Sequence, residues 1–208
     1  YANLFAKKIK IFFLLGFYRK KHFLCISHLR TKYHSVTMKD LNFNRWNTII
    51  GWVVFAIAIT TYTLTVEPTL SFWDSGEYIA TAANLEVGHP PGAPLYQMIG
   101  AFFAMFAIGK ENVALMVNMM SAFSSAFAIL FMFWSSTILL KKFIVKVTEE
   151  STHSNLMILG SSAVGALTLT FSDSFWFNAV ETEVYSMASL FISVLVYLGL
   201  RWEQEMLT

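Results

Sequence analysis

The chain has 208 residues, 56% of them hydrophobic and 16% aromatic, with 13% charged and a mean hydropathy of +0.54. Soluble domains carry about a quarter charged residues, so this composition argues against a solvated globule, a disordered chain or a nucleic-acid binder, and one cysteine cannot staple a secreted module internally. The net charge of +2 hides a split: residues 1–37 hold eight Lys/Arg and no acid, whereas 38–208 hold seven Lys/Arg against thirteen Asp/Glu.

The first 37 residues form a basic leader containing Lys7, Lys8, Lys10, Arg19, Lys20, Lys21, Arg30 and Lys32, with Cys25. Their best apolar stretch, Ile9 to Phe17, is interrupted by Lys10 and is too short to span a bilayer. It also lacks a small-residue cleavage site, which argues against a secretory signal. Residues 1–37 therefore read as a non-native upstream segment or a cytoplasmic leader. Met38 heads a short polar lead into an apolar run and reads as the start of the protein proper.

About 20 apolar residues are needed to cross a bilayer core. Four uncharged windows qualify, 46–66, 112–140, 151–172 and 184–200, the last a little short. The expectation is an all-α, polytopic transmembrane helical bundle of about four spans in residues 38–208, with an outer loop at 67–111. A fifth window opens with Val87-Gly88-His89-Pro90-Pro91-Gly92-Ala93-Pro94, and prolines leave only Leu95 to Gly109 for continuous helix. That is too short to cross, so it is expected to be juxtamembrane or re-entrant. With it outside, Lys39, Arg45, Lys141, Lys142, Lys146 and Arg201 all fall on the cytoplasmic side, as the positive-inside rule favours. The loop 67–111 and the segment 173–183 then share the non-cytoplasmic face. Small residues four apart, Ser121 with Ser125 and Ser161 with Gly165, predict close helix contacts.

The outer loop carries the chemistry. Asp74 and Glu77 stand three apart and share a face if helical, flanked by Trp73 and Tyr78, residues suited to the membrane interface. Such a pair can deprotonate a hydroxyl and hold an attacking group. The competing reading is a helix cap, with Asp74 at the N-cap and Glu77 at N3. His89 sits in a turn stiffened by three of the four prolines, where it is either structural or able to bind phosphate or shuttle protons. The second outer motif runs from Asp173 to Ser186. There Glu181 and Tyr185 are four apart and would share a helical face, with Glu183 elsewhere; the alternative is that these acids simply lie in water. Phe102, Phe103 and Phe106, and Phe127, Phe131 and Phe133, read as lipid-facing or bundle packing, with a groove for a lipid chain as the sharper alternative. No phosphate-cradling glycine loop, nucleophile elbow or zinc spacing is present in the sequence.

Taken in order, an inside-start span, an outer Asp/Glu motif, a His-Pro-Pro turn, a short helix and a further span resemble the GT-C class of polytopic glycosyltransferases. Trp73-Asp74-Ser75-Gly76-Glu77-Tyr78, Gly88-His89-Pro90-Pro91-Gly92 and Ala179-Val180-Glu181-Thr182-Glu183-Val184-Tyr185 are similar to the transmembrane protein 260-like O-mannosyltransferase family, common in Bacteroidetes, over roughly residues 40–205. The resemblance implies inverting transfer of a sugar, mannose in that family, from a polyprenyl-phosphate donor to a protein Ser/Thr or other hydroxyl outside the cytoplasm. It implies Asp74 as general base, Glu77 positioning the acceptor or tuning Asp74, and Trp73, Tyr78, His89, Glu181, Glu183 and Tyr185 as substrate-binding residues. Lipid-monophosphate donors in this class work without a metal, so neither a metal nor a cofactor is expected. The expected partners are the bilayer, the polyprenyl-phosphate sugar and a protein or glycan acceptor, and no nucleic acid. The expected location is a bacterial cytoplasmic membrane with the active face outside and the N-terminus cytoplasmic. Family members are longer, so the chain reads as an N-terminal fragment, expected to be inactive alone. A transporter is the first alternative and would need acids within the spans, which the four windows lack; a structural membrane protein is the second.

Overall fold

A computed structural model describes residues 38–90, 92–147 and 152–207; the basic leader at 1–37 lies outside the described residues. The chain divides into two units, 1–42 and 43–208. Of the first, only the helical backbone of Met38–Asn42 is described, and all that follows concerns the second.

Among the described residues the fold is helical without strands, in agreement with the all-α expectation. Helix α1 covers Met38–Thr65, α2 Ser75–Asn84, α3 Pro94–Ala104, α4 Val113–Val147, α5 Thr152–Thr170, α6 Asp173–Val180 and α7 Val184–Leu207, with a 3-10 turn at Lys110–Asn112 before α4. Three of them, α1, α4 and α7, are each long and apolar enough to cross a membrane. The span expected at 151–172 is reshaped. Its helix α5 qualifies only together with α6, from which it is bent by 62° across Phe171 and Ser172. Four crossings therefore exist if this bent pair is one.

Stripes four residues apart set the packing. On α1, Val54, Ala58 and Tyr62 are buried in one core cluster with Ala122, Ala126, Ile129 and Phe133 of α4. Trp46, Trp52, Val53 and Ile57 of α1 stay exposed, as suits a face turned to lipid. The threonines near the end of α1 bond back into the helix, Thr61 to Ile57 O at 2.9 Å and Thr65 to Thr61 O at 2.8 Å, so apolar surroundings cost them nothing unsatisfied. On α5 the buried stripe is Ser154, Ile158, Ser162, Ala166 and Thr170. This corrects the expected contact at Ser161 and Gly165: Ser161 is exposed, and a Cβ at Gly165 would meet none of the described residues within 4 Å. Ser121 and Ser125 are buried as expected.

The short helix also differs from expectation. Pro94 starts α3 at a position where its missing N–H costs nothing, but the helix ends at Ala104 rather than Gly109. Gly109, at φ 92°, turns the chain toward α4, and Asn112 Nδ2 closes the bend on Ile108 O at 2.6 Å. Among the phenylalanines, Phe133 is fully buried, while Phe102 and Phe106 are exposed.

One end of the bundle is tied together by several long-range bonds. Tyr62 O–H donates to Thr170 O at 3.1 Å, Trp176 Nε1–H to Thr65 Oγ1 at 2.9 Å, and Glu67 N–H to Val180 O at 2.9 Å. The acidic loop and the α6–α7 break thus share this end. The other end carries the Lys142–Glu203 ion pair and Arg201 facing Glu205 at 3.7 Å.

Candidate active site

The loop after Pro68 turns sharply at Trp73, whose φ of 59° is left-handed, and then enters α2. Asp74 occupies the N-cap position, yet its side chain makes no capping bond. The capping box is therefore absent, and Glu77 is free to turn elsewhere. One of its carboxylate oxygens accepts the backbone N–H of His89 at 2.6 Å, and the other lies 3.0 Å from His89 Nδ1. Across the ring, His89 Nε2 stands 3.9 Å from Asp74 Oδ2. The two acids and the histidine are thus one cluster, with the imidazole between the carboxylates.

Two details allow this approach. Gly88 precedes the histidine, and a Cβ there would fall 3.1 Å from Glu77 Oε1 and 3.6 Å from Gln97 Nε2. The turn itself is closed by Gly92 N–H to His89 O at 2.8 Å, with Gly92 and Ala93 both at positive φ. Tyr78, one residue after Glu77, packs under the cluster with its ring 5.9 Å from His89 and edge-on to Tyr96 at 5.5 Å. The backbone bond from His89, then its ring, hold Glu77 below the ordinary carboxylate range. The hydrogen bond and charge of Glu77, with Asp74 adding, raise the His89 imidazole. All three groups remain open to solvent, the Asp74 side chain 60% exposed.

The second motif is placed differently from the helical reading. Helix α6 stops at Val180, and Glu181 is extended at φ −131°, ψ 168°, so Glu181 and Tyr185 share no helical face. Glu181 is 1% exposed and Glu183 9%, whereas Tyr185 is 64% exposed. Neither glutamate simply lies in water. Glu181 accepts the Ser71 hydroxyl on one oxygen, and its other oxygen has no hydrogen-bond partner among the described residues. Burial pushes Glu181 upward against that bond, with Glu67 adding to the push. Glu183 is raised first by burial, then by the charges of Glu181 and Asp74. Trp73, 85% exposed, points out beside the acids. The structure thus brings Asp74, Glu77, Tyr78, His89 and Glu183 to one region, buries Glu181 next to it, and leaves Trp73 and Tyr185 at its surface.

Between α3 and α7 lies an open apolar groove of about 240 Å³, lined by Pro94, Leu95, Tyr96, Val184, Met187 and Phe191 among others. It begins one residue from Glu183 and runs along two turns of α7. The phenylalanine clusters read from sequence supply none of its lining. Sequence reading also missed Asn118 and Ser71. Asn118, fully buried on α4, donates to Glu67 O and Thr69 O and accepts the Thr182 hydroxyl. Its signal was available: an amide inside an otherwise apolar span needs partners. Ser71 carried none. Among the described residues no group of three or more His, Cys, Asp or Glu is arranged to hold a metal.

Residues 74–208 match the family described as the protein O-mannosyl-transferase TMEM260 N-terminal domain. Among curated proteins, the chain is 30% identical over 155 residues to protein O-mannosyl-transferase TMEM260 of Mus musculus, covering 73% of this chain and 19% of that protein. It is 28% identical over 155 residues to protein O-mannosyl-transferase tmem260 of Dictyostelium discoideum, covering 74% and 17%. The chain therefore spans less than a fifth of the length of these relatives. No solved structure matches.

Proposed function

Since the chain belongs to the TMEM260 N-terminal domain family of protein O-mannosyl-transferases, we propose that it forms the catalytic end of a membrane glycosyltransferase that moves mannose from a polyprenyl-phosphate carrier to a protein Ser/Thr hydroxyl. The observation that carries the reading is the division of labour between the two acids. Both oxygens of Glu77 are engaged by His89, while Asp74 is exposed and meets the ring only at 3.9 Å. Glu77 is thus the holder and Asp74 the carboxylate free to take a proton.

In this reading Asp74 accepts the proton of the acceptor hydroxyl as that oxygen attacks the anomeric carbon. The carbon–oxygen bond to phosphate breaks with its electron pair, polyprenyl phosphate leaves, and the configuration inverts. His89, kept protonated to higher pH by Glu77, supplies positive charge toward the phosphate. Glu183 and Tyr78 face the sugar and acceptor. The α3–α7 groove supports a lipid-borne donor, since an open apolar groove beside a polar cluster suits an amphipathic substrate. The basic residues at the far end of α4 and α7 support a non-cytoplasmic active face.

The test is transfer by the full-length protein in vesicles, using a polyprenyl-phosphate mannose donor and a Ser/Thr acceptor. Asp74→Asn should lower kcat by about 10²–10⁴-fold with the protein still folded, the range for losing a general base. Unchanged transfer in that variant would remove Asp74 from the role.

A further inference from the structure

We propose that Asn118 is a positioning residue of the transfer site, the clamp that registers the Asp74 loop against the Glu181–Glu183 segment. The proposal rests on the transferase reading for its catalytic meaning and on geometry for its mechanism. Asn118 lies in the second turn of α4 and is fully buried, where an unpartnered amide would be costly. Every polar group of that side chain is used. Its two Nδ2 protons go to Glu67 O at 2.7 Å and Thr69 O at 3.1 Å, and its Oδ1 accepts the Thr182 hydroxyl.

Those partners belong to the two segments that carry the acids. Capturing carbonyls 67 and 69 with one amide fixes the direction in which the chain leaves α1, five residues before Asp74. Thr182 stands between Glu181 and Glu183, and extended backbone at Glu181 alternates side chains from one side to the other. With Thr182 held on α4, Glu181 is turned the other way, onto Ser71. The backbone bond from Glu67 to Val180 closes the same joint at 2.9 Å. A leucine of similar volume would fill the site and make none of these bonds.

The first measurement needs no enzyme activity. Spin labels at Leu70→Cys and Ser174→Cys, both exposed positions, with Cys25→Ser, report the loop-to-α6 distance by pulsed electron resonance in the full-length protein. A single narrow distance is expected for the unaltered protein and for Thr182→Ser, which keeps the hydroxyl. Asn118→Leu and Asn118→Asp should broaden it, with helicity retained. Should Asn118→Leu not fold, Thr182→Val against Thr182→Ser makes the same comparison. In the vesicle assay, kcat should fall by about a hundredfold in Asn118→Asp with KM for the polyprenyl-phosphate mannose donor little changed, the signature of a misplaced catalytic group. Thr182→Ser should keep the unaltered rate. A narrow, unaltered distance in folded Asn118 variants overturns the clamp. Absence of transfer in the unaltered protein overturns the functional reading instead, and the distance measurement then decides the clamp alone.

Discussion

At the scale of residues, the site depends on what Glu77 does with its two oxygens. A capping box would have spent that carboxylate on the start of α2; bonding to His89 instead ties the Pro-rich turn to the acids. The electrostatic consequence has a defined pH window. His89 is raised, so its attraction to Glu77 is complete below the ordinary imidazole value of 6.5 and is lost as pH climbs through the raised value. Glu77 is lowered, so its share is complete above the ordinary 4.5 and is lost as pH falls through the lowered value. The contact is therefore complete between the two ordinary values, 4.5 and 6.5, and weakens on either side of that window. Glu77→Gln should lower the titration midpoint of the His89 ring, followed by NMR of its ring protons. A midpoint unmoved by that change would mean the carboxylate is not what holds the ring charged. The residue types and their spacing were legible in sequence. The pairing was not, because it spans twelve positions of the chain, including a left-handed turn at Leu85.

At the scale of elements, the helices pack through small residues at close crossings. Gly100 on α3 meets Ala82 on α2 so closely that a Cβ would come within 2.8 Å of the Ala82 Cβ. Gly100→Val should therefore destabilise by about 1–3 kcal/mol, the usual cost of overpacking, and shift α2 away from α3. Gly165→Ala on α5, where a Cβ would meet no described residue within 4 Å, should change stability by less than about 0.5 kcal/mol. Thermal unfolding of the two variants in the same detergent checks the contrast; equal losses would mean the α2–α3 crossing is not tight. The long helices α1, α4 and α7 were legible from apolar windows, because length and polarity decide what can cross a bilayer. Which face of α5 packs was not, since its small residues occur on both sides and only the neighbouring helices select between them.

At the scale of the whole molecule, the tied end gathers the acidic loop, the α5–α6 bend and the α6–α7 break, and the opposite end gathers Lys142, Arg201 and Glu203. If the tied end faces out of the cytoplasm, single cysteines at Phe72 and Ser174, introduced with Cys25→Ser, should react with an impermeant maleimide from the same membrane side. A cysteine at Trp202, near the end of α7, should react from the other. Labelling of positions 72 and 174 from opposite sides would contradict the shared face.

The sequence by itself determined the class of the molecule: apolar windows without charge demand spanning helices, and the polar motifs between them must gather where the spans end. Their order also determined the family, because Trp73 to Tyr78, Gly88 to Gly92 and Ala179 to Tyr185 are local strings. Only the tertiary structure decided the assignments within the site. It made Glu77 a holder and left Asp74 open, buried Glu181 while exposing Tyr185, and placed Asn118 at the joint. Those outcomes follow from which groups find partners out of water, and a partner 51 or 64 residues away, as Asn118 has in Glu67 and Thr182, leaves no local trace in the chain.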